Sequence, residues 1–285
     1  MTTTAASEAF LAALRSSAAE PPTAAVAGAP SPTWLWHVAS ALHEQLPADI
    51  ADGWAARLHG LLAERPPATG LHAVHVWHAD TIVPLLARAV PDEDSAVITA
   101  LGDLHRATTA GRPADRDTWR TVLGPALLRL YDAAYDRAST YAEAHTSARD
   151  YALANDFVPA EADIYGHEYA RLSSEANARA FAEAHARVLG DALSRAYVTE
   201  GRDGTEERNG TEGREGTDRR DGREGTDGRD VMHGREMTDE CAAYADTYPG
   251  AQVRAVVRAT TTRDDPFPSV RLAEGLLLAL EASRP

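Results

Sequence analysis

Three residues near the middle of the chain, His145, Asp163 and His167, have the types and spacing for proton transfer or metal binding. Asp163 and His167 are one helical turn apart, so the carboxylate and the imidazole share a face. A carboxylate beside an imidazole raises its basicity and fixes its tautomer, which suits a general base or a metal ligand. His145 joins them if residues 116–155 and 159–198 are two helices joined by the tight Asp156-Phe157-Val158-Pro159 connection, which forces them antiparallel. With the turn centred near residue 157, His145 lies within about two residues of the level of His167. These three residues are the candidate catalytic group. The blander role for them is a buried hydrogen-bonded pair that fixes helix register.

A second set, His72, His75 and His78, lies on the third helix beside an apolar arc of Val74, Ile82, Leu85, Leu86 and Val90. Spacing of i, i+3, i+6 spreads the rings over about 120°, so adjacent pairs can share a ligand and a fourth group from another helix must complete a site. They are the candidate metal ligands, with a divalent cation as the cofactor. A single histidine at a helix seam more often bonds a backbone carbonyl. His105 points inward with Val97, Ile98, Leu101 and Leu104, whereas His37, His43 and His59 read as solvated or capping.

The segments 141–145 and 181–185 read YAEAH and FAEAH, a repeat that suggests two halves of one site. Antiparallel geometry forbids it, since His145 and His185 are then roughly 24 Å apart along the axis. His185 reads as a packing residue, and Glu143 and Glu183 read as solvent-facing. Asp132 and Asp136 have the one-turn spacing of acids that bind magnesium-diphosphate, but no second acidic motif completes such a site.

The elements that must position these groups are helices. Apolar residues recur at helical spacing over 34–46, 48–64, 71–90, 94–109, 116–155 and 159–198, without sustained strand alternation. Pro84 and Pro125 should each kink a helix or mark a boundary. The expected fold is all-α, a multi-helix bundle built around a long antiparallel hairpin. Residues 1–33, with a Pro-rich stretch from 20, read as a flexible arm, and 34–199 as the bundle. Residues 200–235 read as a disordered linker: Gly-Thr-Glu or Gly-Thr-Asp recurs at 204, 210, 216 and 225, and 201–230 holds no apolar residue to bury. Within 236–285, residues 236–248 and 269–283 read as helical, and the segment 251–262, AQVRAVVRATTT, reads as a short strand with nothing to pair with.

Composition bounds the function. A net charge of −15 argues against nucleic acid and anionic membrane surfaces as partners. All basic residues are arginine, which excludes Schiff-base catalysis and a Walker A phosphate loop, and the alanine–arginine bias fits a GC-rich bacterial genome. One cysteine, no signal-peptide pattern and no apolar run long enough to span a bilayer fit a reducing cytoplasm. The expectation is a small-molecule enzyme that uses inward histidines for acid/base or metal-assisted chemistry. The alternative is a non-catalytic helical accessory subunit that binds a protein partner.

Overall fold

The computed structural model describes residues 2–16, 32–64, 70–91, 95–135, 137–199 and 241–283. Among them every regular element is helical and no strand occurs. The tract read as a linker, 200–235, lies outside the described residues, as does 17–31 of the arm.

In chain order the helices are α1 (Thr2–Arg15), α2 (Thr33–Gln45), α3 (Ala48–Glu64), α4 (His72–Trp77) and α5 (Val83–Ala89), with a π-helical turn at His78–Ile82 between the last two. Then follow α6 (Ser95–Thr109), α7 (Arg116–Ala134), α8 (Arg137–Ala154), α9 (Pro159–Thr199), α10 (Pro249–Thr260) and α11 (Pro268–Ala282), with a helical turn at 241–245 before α10. Local chemistry sets several starts. The Asp115 carboxylate accepts from the Thr118 N–H at 2.7 Å and caps α7. Prolines 159, 249 and 268 open α9, α10 and α11, where the missing N–H would have no partner anyway.

The kink expected at Pro84 takes a specific form. Proline cannot donate to the carbonyl four residues back. The helix widens just before it, and the Val83 N–H reaches back five residues to the His78 carbonyl. Pro125, by contrast, lies inside an uninterrupted α7.

Three sequence expectations are corrected. Residues 116–155 are not one helix, because Tyr135 leaves helical geometry (φ −96°, ψ 63°) and separates α7 from α8. No Gly or Pro marks that break. The expected strand is instead α10, whose valines at 253, 256 and 257 fall on one helical face and are buried. The first helix is not loosely attached: Phe10 and Leu14 are each 2% exposed and belong to the core.

The core joins α1–α7, the C-terminal half of α9, α10 and α11. The C-terminal helices are integral to it. The Trp54 and Trp77 indole N–H groups donate to the Ala273 and Leu272 carbonyls of α11 at 3.0 and 2.9 Å. Exposed pairs, Arg57 with Glu274 and Arg254 with Glu44, tie the same helices to α3 and α2. Such pairs contribute at most about 1 kcal/mol each.

The hairpin of α8 and the first half of α9 is built differently. Its buried positions are small: Ala148 and Ala152 on α8 face Ala162, Gly166, Ala170 and Ser174 on α9. Small residues every fourth position form a shallow seam that lets the axes approach closely. No helix among the described residues is long and apolar enough to cross a membrane.

Of the described glycines, Gly275 meets its neighbour most closely, where α11 crosses the π-helical turn. A Cβ on Gly275 would lie 2.1 Å from Thr81 Oγ1 and 2.8 Å from Thr81 Cβ, so rotating Thr81 cannot relieve the overlap. Gly275→Ala is therefore expected to destabilise the protein by roughly 1–3 kcal/mol despite alanine's better helix propensity. Urea unfolding checks this, and an unchanged or raised midpoint would contradict the packing described.

Candidate functional site

The hairpin brings His145, Asp163 and His167 together. His145 Nε2 lies 3.5 Å from Asp163 Oδ1, and His167 Nε2 lies 3.7 Å from Asp163 Oδ2. The two imidazole rings are 4.2 Å apart. One donor atom from each residue falls within 4.8 Å of the others. Gly166 makes this approach feasible, because a Cβ there would lie 3.0 Å from both His145 Cδ2 and the His145 carbonyl oxygen.

The surroundings orient the donors. The Tyr141 hydroxyl is 2.9 Å from His167 Nδ1 and 3.4 Å from the His167 carbonyl. A phenol that donates to the carbonyl accepts from Nδ1–H, which leaves the lone pair of the ring on Nε2, facing Asp163. His145 Nε2 is shielded from solvent and has no hydrogen-bond partner in the protein. Arg149 Nε sits 3.5 Å from Asp163 Oδ1. Donor separations of 3.5 and 3.7 Å are close to the edge of a tetrahedral zinc site, roughly 3.4 Å for bonds near 2.1 Å. Asp163 and His167 remain half-exposed, which leaves the open side to water or substrate.

The second expected set is distributed differently. His72 is exposed, whereas His75 is fully buried, so these two face opposite environments. His75 pairs instead with His105 of α6, Nδ1 to Nδ1 at 2.8 Å, so one ring donates and the other accepts. His78, turned by the π-helical segment, stacks 4.6 Å from His105 and lies 3.5 Å from the Tyr244 hydroxyl. Trp119 and Tyr197 close the cluster, with Tyr197 4.9 Å from His75 and 4.7 Å from Trp119. The adjoining cavity is lined by His78, Tyr197, Tyr244 and Gln252 among apolar side chains. It measures about 40 Å³, space for about three waters.

Burial, reinforced by His75, pushes His78 down to about 3, and burial with His78 and His75 holds His105 well below its ordinary value. Both rings stay neutral near neutrality.

The remaining histidines divide by the helices that cover them. His59, read as solvated, is 3% exposed because Phe10 of α1 stacks on it at 5.2 Å. That cover comes from a distant segment, which the periodicity of α3 cannot register. His37 and His43 are half-buried, and His43 lies 3.4 Å from Asp52. Asp52 is held below the usual carboxylate range chiefly by its bond to Arg15. Glu183 is exposed and pairs with Arg179; the side chain of Glu143 and the whole of Asp136 lie outside what is described. His185, read as a packing residue, lies against Tyr131 and Tyr135 at 4.9 and 5.5 Å on the wall of a cleft shared with α2 and α10. The separated repeats at 145 and 185 therefore occupy two different environments.

No protein-family model, curated protein or solved structure matches this chain.

The buried imidazoles set a pH dependence. Unfolded histidine takes up protons near 6.5 while His78 resists until about 3, so the unfolded state binds more protons between those values. Stability is full above 6.5 and falls as pH drops below it, with a slope approaching about 1.4 kcal/mol per pH unit per histidine. Urea midpoints at pH 7.5, 6.5 and 5.5 test this above the range where carboxylates titrate. A flat profile, or an identical slope in His78→Gln, would contradict neutral burial.

Proposed function

We propose that the protein binds one divalent transition metal through His145, Asp163 and His167 and applies it to a small-molecule substrate as a metal-dependent enzyme. One observation carries this reading: three donors of the right chemistry converge from two helices, with His167 oriented by Tyr141. Two imidazoles and a carboxylate suit zinc or a neighbouring first-row ion rather than magnesium or calcium, which prefer oxygen alone. Three protein ligands with one side open is the arrangement of catalytic rather than structural zinc, and the metal there supplies a water acidified to near neutral pH. Asp163 stands between the two imidazoles, and the Tyr141 contact orients the His167 ring so that it presents Nε2. The acidic chain, its single buried thiol and its arginine-only basic set accord with a bacterial cytoplasmic setting and with a partner that is neither nucleic acid nor membrane.

A second reading draws on the hairpin surface, where Tyr151, Ile164 and Leu172 are 62%, 62% and 71% exposed. Apolar exposure on a two-helix projection suits an accessory subunit that docks on a protein partner. Metal dependence separates the two readings.

Titrating the metal-free chain with Zn²⁺ in a calorimeter is expected to show one site. His145→Ala and His167→Ala should each weaken it at least about tenfold, and Tyr141→Phe about tenfold through the lost orienting bond. Circular dichroism should show the helices retained. Unchanged zinc affinity in the His145→Ala/His167→Ala double variant would sink the proposal and leave the docking role.

A further inference from the structure

A wide concavity belongs to neither histidine cluster named above. It is a cleft of about 750 Å³ between α2, α7, α9 and α10. This is within the range of small-molecule sites, about 300–1,000 Å³. One wall is aromatic: Tyr131 and Tyr135 stack at 5.8 Å with 20° between their planes, and His185 lies against both. The facing wall carries Arg254 and Arg258, one turn apart on α10, with Ala251, Ala255 and Val257 between and beside them.

The polar groups are oriented. His185 Nδ1 lies 2.8 Å from the Phe181 carbonyl, which fixes the proton on that nitrogen and leaves a lone pair on Nε2, 3.5 Å from the Tyr135 hydroxyl. Burial, and then the neighbouring Tyr135, push Tyr131 well above the usual phenol range, so that ring remains uncharged. On the opposite wall Arg254 is engaged by Glu44, both of which line the cleft. Arg258 has no carboxylate partner among the described residues. Two guanidinium groups against one carboxylate leave a single net positive charge, in a chain whose net charge is −15.

We infer that this cleft binds a small organic monoanion, a flat apolar body ending in one carboxylate. The body lies against the Tyr135 ring, which the buried Tyr131 backs, and the carboxylate meets Arg258 as a charge-assisted, two-point contact. One net charge favours a carboxylate over a phosphate dianion, which would also meet Glu44. The Tyr135 hydroxyl and His185 Nε2 offer a donor and an acceptor for one further polar group on the ligand. His185 and His167 are eighteen positions apart on α9, roughly 27 Å along its axis. The cleft is therefore separate from the proposed metal site and does not depend on it.

Three probes test the assignment on the full chain by calorimetry: naphthalene-2-carboxylate, its neutral carboxamide and phenyl phosphate. The carboxylate should bind at least about tenfold more tightly than the other two, and Arg258→Gln should remove that advantage. Tyr135→Leu should weaken both naphthalene probes together. Arg258 is exposed, so the melting temperature of Arg258→Gln should match the parent and separate lost binding from lost folding. Equal affinity for carboxylate and carboxamide, tighter phenyl phosphate, no binding, or full binding by Arg258→Gln would each overturn the inference. His167→Ala should still bind the carboxylate, so failure of the zinc site and failure of the cleft are distinguishable.

Discussion

The structure depends on burying polar rings without charging them. His75, His105, Trp119 and Tyr197 are each 0% exposed, at the place where α4, α6, α7 and the C-terminal end of α9 meet. An imidazolium there would face several kcal/mol of desolvation with no carboxylate to offset it. The solution is internal: two neutral histidines exchange a hydrogen bond at 2.8 Å, and aromatic faces fill the remaining volume. The π-helical turn belongs to the same solution, because the extra residue it accommodates turns His78 toward His105 and Tyr244.

Anchoring α9 at Tyr197 has consequences along its 41 residues. Its C-terminal half buries Ala182, Ala186, Leu189, Leu193 and Ala196 against the body, whereas its N-terminal half packs on α8 through alanine, glycine and serine. Alanine contacts contribute little apolar area, so the seam fixes separation and register more than it adds stability. Close approach is what the His145 site requires. A larger residue at 166 would push α8 outward and open the distance to Asp163, so composition that looks bland as sequence is what brings the donors together.

Much of this was legible before any coordinates. Pro159 at the start of α9 and a rise of about 1.5 Å per residue place His145 near His167 and far from His185. Helical periodicity identified the bundle for the same reason. What failed involves partners from distant segments. His59 looks solvent-facing on α3 until Phe10 covers it, and His75 finds its partner on α6 rather than at His72. Residues 251–262 look strand-like because valine and threonine favour strands locally, yet Pro249 starts a helix and α2 supplies a face on which Val253 and Val256 can be buried. The cleft is not legible in the sequence because its walls come from α2, α7, α9 and α10, and no single stretch carries both its aromatic and its cationic groups.

The contrast between the two histidine clusters also bears on where chemistry can occur. For His75 and His105 to bind a cation they would have to surrender their mutual bond and admit an ion between two rings that are each 0% exposed. The low basicity of His105, set by its burial, makes it a poor proton carrier near neutral pH as well. His145 and His167 face the opposite balance. A carboxylate stands 3.5 and 3.7 Å from the two rings without hydrogen-bonding either, and the open side lies in solvent, so a metal would displace little. Burial thus assigns the inner imidazoles to architecture, and partial exposure beside an acid leaves the outer pair available for ligands.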